Sequence, residues 1–152
     1  MALVFTTLAK VKSEAGFDNN TNINDTTDIT PHANSADGET LMAISSQYSL
    51  PLSRNTTYTG SSAEYILQGV STNYGAGLLM KKAYEGQGGS LLEIALRKIE
   101  EAKGMLQKIK SNEIVLFGTG GVELARVFDR SSAIPMTNED EEEARFSIND
   151  IF

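Results

Sequence analysis

Residues 90–110, SLLEIALRKIEEAKGMLQKIK, carry the clearest structural signal in the sequence. Apolar side chains recur there at alternating steps of three and four, which is the spacing of one face of an α-helix. Glu93 and Arg97 add a favourable i,i+4 pair on another face. The pattern predicts an amphipathic helix capped by Ser90, whose apolar stripe packs in the core or against another subunit. That stripe consists of Leu92, Ala95, Ile99, Ala102, Leu106 and Ile109.

The segment before this helix predicts another one, over residues 62–84. Apolar residues occur at every fourth position, and Ser61 or Ser62 is placed to cap the first turn. Three glycines interrupt the pattern, and each costs a helix about 1 kcal/mol relative to alanine. We therefore expect another backbone to approach this helix closely. The three are Gly69, Gly75 and Gly77.

A helix over residues 36–48 is predicted to end in a tight corner, LMAISSQYSLPLS at residues 41–53. Pro51 disfavours α geometry at Leu50, so the helix must stop before that leucine. We expect Pro51 to stiffen the exit from the helix while Leu50 and Leu52 anchor it, with Tyr48 as the last helical residue. An earlier helix is predicted over residues 3–16, with Thr6 or Thr7 as its cap and Gly16 at its end. The polar stretch 18–30 is expected to be a loop, and Pro31 after it fits the first position of a helix capped by Thr30.

The region after the amphipathic helix has a different character. Residues 113–117, EIVLF, predict a short β-like segment, and FGTGG after them predicts a turn. The chain is accordingly divided into a helical domain, residues 1–118, and an extended C-terminal arm, residues 119–152. An acidic run at 139–143 is followed by an apolar ending, so the arm is either a solvated tail or a partner-binding segment. Its candidate anchors are Phe146, Ile148, Ile151 and Phe152.

Composition excludes several classes of function. The 152 residues contain no cysteine and a single histidine, His32, so disulfides, thiolate metal sites and multi-histidine metal sites are impossible. A net charge of −7 argues against nucleic-acid binding through a basic face. No signal peptide or membrane-spanning stretch is expected. We found no catalytic motif and predict no catalytic residue, cofactor or metal ion.

Two motifs resemble ligand sites but lack essential residues. VLFGTGGVELARVF has a Gly-x-Gly pattern, yet Glu123 stands where the third glycine of a dinucleotide site would be. DNNTNINDTTDI resembles a calcium loop in composition, but Ile23 replaces the turn glycine and Ile29 replaces the bidentate glutamate. We interpret the first as turn residues and the second as a solvated loop.

The order of these elements resembles the small head–tail connector proteins of tailed bacteriophages, also called adaptor or head-completion proteins. The matching stretches are LMAISSQYSLPLS, then AEYILQGVSTNYGAGLLMKKAY, then SLLEIALRKIEEAKGMLQKIKSNEIVLF. The resemblance covers residues 3 to about 118. It implies a mainly α fold: a bundle of about four helices with a long C-terminal helix, a short β-like segment and an extended tail.

The resemblance also implies a role in the virion. Such subunits form a ring, usually of twelve copies, that docks beneath the portal protein at the neck of the capsid. The ring extends the DNA channel, where DNA passes without specific binding, and offers a platform to the stopper or tail-completion protein. The protein would be made in the cytoplasm of the bacterial host and would contact no membrane. By analogy, the C-terminal arm would order against the portal or a neighbouring ring.

A different class of function stays open from the sequence. The chain also fits a small helical adaptor module that binds one protein partner through its long helix. The two hypotheses differ in stoichiometry, because a connector forms a ring of many copies while a binding module forms a discrete pair.

Overall fold

Four α-helices follow one another in the computed structural model, which describes residues 4–52 and 57–127. They are α1 (Leu8–Glu14), α2 (Thr30–Ser45), α3 (Ser62–Tyr84) and α4 (Ser90–Lys110). The prediction of a mainly α bundle of about four helices is confirmed. The C-terminal tail from residue 128 lies outside the described residues.

The central element is α3, which packs against α1, α2 and α4, while α2 also contacts α4. Its predicted start is confirmed, since the Ser61 hydroxyl accepts a hydrogen bond from the Glu64 N–H at 3.1 Å. Such a cap satisfies one of the N–H groups that have no partner in the first turn. Because α3 touches all three other helices, its small residues set how closely the bundle packs.

The boundaries of α2 differ from the prediction at both ends. A π-helical turn, Asp25–Ile29, leads directly into α2 and moves its start from residue 36 to Thr30. The Asn24 side chain caps this turn by accepting from the Thr26 and Thr27 N–H groups, so the stretch predicted as a loop is partly helical. The helix ends at Ser45, and Tyr48 lies beyond the following turn, where it forms an isolated antiparallel bridge with Arg126.

The N-terminal ends of α1 and α4 are set by their capping residues. The prediction of Thr6 or Thr7 as the cap of α1 is confirmed for Thr7, which accepts from the Lys10 N–H, and α1 begins at Leu8 instead of residue 3. Ser90 is the first residue of α4 and not its cap, because Gly89 occupies the cap position with φ of 85°. A positive φ of this size strains any residue with a Cβ, and glycine adopts it freely.

The segment after α4 returns to the bundle. Phe117 and Glu123 form an isolated antiparallel bridge around a 3₁₀ turn, Thr119–Gly121. The predicted β-like segment at 113–117 is thus a single bridge, and the described part of the chain contains no extended strand. Leu124 is only 1% exposed and belongs to the core, so the folded domain continues past the predicted boundary at residue 118.

Candidate assembly site

The corner at residues 48–52 is built around the ring of Tyr48. This side chain is completely buried, and its phenolic oxygen accepts a hydrogen bond from the Leu116 N–H at 2.8 Å. The ring packs in a core cluster with Ile44 of α2 and Ile109 of α4. One aromatic residue therefore joins the end of α2 to the segment that follows α4.

A second layer of backbone hydrogen bonds closes the corner from outside. The Ser49 N–H donates to the Ala125 carbonyl at 2.8 Å, and the Val127 N–H donates to the Gln47 carbonyl at 3.1 Å. The Arg126 guanidinium lies 5.5 Å from the centroid of the Tyr48 ring, within the range of a cation–π contact. The sequence predicts that residues 119–127 belong to a separate arm, because the glycines at its start indicate only a turn. In the structure these residues return to the corner.

The remaining corner residues are not equivalent. Leu52 is 4% exposed and belongs to the same core cluster as Tyr48. Leu50 is 39% exposed, so the expectation that both leucines anchor the corner is met by Leu52 alone. Pro51 is exposed, and the Leu50–Pro51 peptide bond is cis. Leu50 thus presents an apolar side chain at the surface beside the buried corner.

The predicted stripe of α4 points into the bundle. Ala95, Ala102, Leu106 and Ile109 are buried within the chain, while Leu92 and Ile99 are half-buried. The buried residues of the stripe therefore pack in the core of their own chain, which was one of the two predicted alternatives. Two apolar residues outside the stripe, Leu91 and Leu96, are each more than 40% exposed.

Close packing of neighbouring helices explains two of the three glycines of α3, and at Gly77 the neighbour includes the backbone of α4. A Cβ on Gly77 would lie 2.9 Å from Cγ1 of Ile99 and 3.1 Å from the Ala95 carbonyl oxygen. A Cβ on Gly75 would lie 3.2 Å from a methyl group of Val11. Gly69, by contrast, has nothing within 4 Å. The expected close packing thus holds at Gly75 against α1 and at Gly77 against α4.

A buried carboxylate that the sequence analysis missed ties the N-terminus to the bundle. Asp37 of α2 is 7% exposed, and its Oδ2 accepts from the Val4 N–H at 2.5 Å and from the Phe5 N–H at 3.2 Å. Its Oδ1 accepts from the Ser71 hydroxyl of α3 at 2.5 Å. The available signal was position, because Asp37 lies four residues after Ala33 on the buried face of α2.

Two titratable side chains have perturbed environments. Burial, followed by the charge of Lys82, lowers the pKa of His32, and Asp28 partly opposes that effect. Burial raises the pKa of Tyr58 to about 12, assisted by the charges of Glu64 and Asp37. Within residues 4–52 and 57–127, no three or more His, Cys, Asp or Glu side chains are grouped so that they could hold a metal ion. We assign no catalytic role to either residue.

The proposed anchors of the C-terminal arm, Phe146, Ile148, Ile151 and Phe152, lie outside the described residues. The described fold ends at Val127, which is 45% exposed and lies beside Gln47. The chain therefore leaves the described fold at the corner. Within residues 4–52 and 57–127, no helix has the length and apolar character needed to cross a bilayer.

Comparisons with known proteins identify no family for this chain. No protein-family model, no curated protein and no solved structure matches the chain.

Proposed function

We propose that the chain is a structural subunit of the head–tail connector of a tailed bacteriophage. The observation that carries this proposal is the closed corner, in which the Tyr48 hydroxyl and the 125–127 backbone fix the end of α2. The resemblance of the sequence to connector proteins begins at this corner. A subunit of a ring needs rigid faces at fixed angles, and a buried aromatic with a satisfied hydroxyl provides such rigidity.

In this proposal the subunits form a ring, twelve by analogy, that docks under the portal protein and continues its DNA channel. The stopper or tail-completion protein would attach to the opposite side of the ring. The acidic balance of the chain supports this arrangement, because negative charge repels the DNA backbone and lets it slide without specific binding. The protein would reside at the neck of the virion after synthesis in the host cytoplasm.

The position of Val127 supports a role for the rest of the arm. Residues 128–152 start beside the corner, so their apolar ending is tethered to one defined side of the bundle. A tethered segment binds a nearby partner at a high effective concentration. We propose that Phe146, Ile148, Ile151 and Phe152 are the anchors that hold the portal or an adjacent ring.

Deletion of residues 139–152 tests this role. The truncated protein should still fold and unfold cooperatively, because the described core ends before residue 128. Phage particles assembled with it should contain fewer subunits at the neck and attach fewer tails. Normal particles made with the truncated protein would contradict the role of the arm, and loss of folding would contradict the domain boundary.

The second candidate is an adaptor module with a single protein partner. The exposed Leu91 and Leu96 on α4 favour it, because both belong to the helix that would bind the partner. Replacing both leucines by glutamine should abolish a discrete one-to-one complex under this hypothesis. The connector proposal makes no demand on these two residues in particular, so the substitution separates the candidates.

A further inference from the structure

A shallow groove of about 300 Å³ runs between α2 and the second half of α4. Met42 lines it and is 69% exposed, the highest exposure among the large apolar side chains of the described residues. Leu106 contributes to the same groove, with Lys103 and Lys110 along one side and Glu39 among its lining residues. The groove thus combines an exposed apolar side chain with basic groups.

The basic character of this part of α4 is local. Residues 103–110, KGMLQKIK, contain three lysines and no carboxylate. Within the described residues, the ion pairs involve other side chains, and none reaches Lys103, Lys108 or Lys110. A partner with carboxylates next to an apolar side chain would complement both the lysines of the groove and the exposed side chain of Met42.

The terminal segment of this chain, residues 128–152, has that chemistry. It carries two arginines against seven carboxylates, which makes it the source of most of the net charge of −7. The acidic run at 139–143 is followed, after Ala144 and Arg145, by the apolar Phe146 and Ile148. Carboxylates and an adjacent aromatic ring match lysines beside a methionine, whose flexible thioether packs well on aromatic rings.

The point where the segment starts favours the groove of the same chain. The Val127 N–H donates to the Gln47 carbonyl, and the Gln47 side chain donates to the Lys110 carbonyl at 3.1 Å. The chain therefore leaves the described fold beside the Lys110 end of the groove. The 11 residues from 128 to 138 can reach at most about 36–40 Å. The helical distance from Lys110 to Lys103 is about 10 Å, well within that reach.

We propose that residues 139–152 dock in the α2–α4 groove of their own chain, with the acidic run against Lys103 and Lys110 and Phe146 against Met42. Covalent attachment raises the effective concentration of the segment at the chain's own groove, which favours that groove over the groove of a second copy. A partner that binds the apolar ending more tightly would have to displace it. The contact involves this chain alone, and it competes with any partner that binds the same apolar ending.

Paramagnetic relaxation on the full-length protein tests the contact. The chain has no cysteine, so Ser147→Cys introduces a single site for a nitroxide label. The label should reduce the amide signals of Met42, Lys103 and Leu106 at least twofold at low salt and much less at 1 M salt, where the screening length falls to about 3 Å. Unlabelled isotope-enriched chains mixed with labelled chains should show no such loss.

A charge-matched pair of variants provides the control. Lys103→Glu with Lys110→Glu should restore the amide signals, while Lys10→Glu with Lys81→Glu, at exposed sites outside the groove, should leave the loss unchanged. The salt titration decides the question if the first pair fails to fold. The proposal would be overturned if the label did not reduce the amide signals of the groove. It would also be overturned if the two double variants showed the same reduction. Loss that also appears in the mixed sample would overturn it in favour of a second copy.

Discussion

The hydroxyl of Tyr48 accepts a hydrogen bond from the Leu116 N–H at 2.8 Å inside the core, between residues 68 positions apart in sequence. This contact joins the end of α2 to the segment after α4, and Arg126 covers it from the surface. The corner is therefore a tertiary structure formed by three separate stretches of chain. Its integrity is the physical premise of the proposed function.

Tyr48→Phe should lower the free energy of unfolding by about 1–3 kcal/mol, because the buried Leu116 N–H would lose its acceptor. Urea denaturation measures the change. Tyr65→Phe is the matched control, since Tyr65 is 67% exposed and should change the stability by less than about 0.5 kcal/mol. Equal effects of the two substitutions would contradict the buried hydrogen bond.

Gly77→Ala should destabilise the protein by roughly 1–2 kcal/mol, because the added methyl group would press on the Ala95 carbonyl and Ile99 of α4. Gly69→Ala, in the same helix with open space around it, should stabilise the protein by about 0.5–1 kcal/mol through helix propensity. Thermal unfolding of both variants measures these changes, and the unfolding temperature should fall for Gly77→Ala and rise for Gly69→Ala. Stabilisation by both would mean that α3 and α4 are not in close contact at Gly77.

Asp37→Ala should cost about 3 kcal/mol, because three donors from the N-terminal segment and α3 would lose a charged acceptor. Asp37→Asn should cost less, since the amide keeps one oxygen acceptor. Glu39→Gln, two residues away and exposed, is the control. Hydrogen exchange at the Phe5 N–H should accelerate only in the Asp37 variants, and unchanged exchange there would contradict the tether.

The pKa of His32 should lie below its ordinary value of 6.5, mainly through burial and then through Lys82. As the pH falls below 6.5 the unfolded chain takes up the proton more readily than the folded one, so the stability falls until the folded pKa is passed. The single imidazole gives an unambiguous NMR titration. Lys82→Gln should raise this pKa and Asp28→Asn should lower it, and shifts in the same direction would contradict the assigned environment.

The sequence predicted the helices with strong periodic patterns and missed the contacts between distant segments. The limits of α3 and the extent of α4 follow from local spacing and capping, which a single stretch of sequence contains. The burial of Asp37 and the return of residues 122–127 to the corner depend on tertiary pairing, which no local pattern encodes. The start of α2 was predicted at residue 36 because Gly38 weakens the helical pattern after Pro31, although Pro31 itself lies in the first turn of the helix.

The candidate site was predictable in part for the same reason. Pro51 marked the corner because its effect on the preceding residue is local. The difference between the buried Leu52 and the exposed Leu50 depends on what packs against each side chain, and the sequence treats them alike. The distinction between Gly77 and Gly69 likewise requires knowledge of which side of α3 meets α4.

Native mass spectrometry of the full chain, alone and mixed with the portal protein encoded near it, tests the connector proposal most directly. The proposal predicts a complex that carries many copies of the chain on each portal ring, twelve by analogy with the resembling family. A chain that stays monomeric and does not bind the portal would contradict the proposal and leave the single-partner adaptor as the better account.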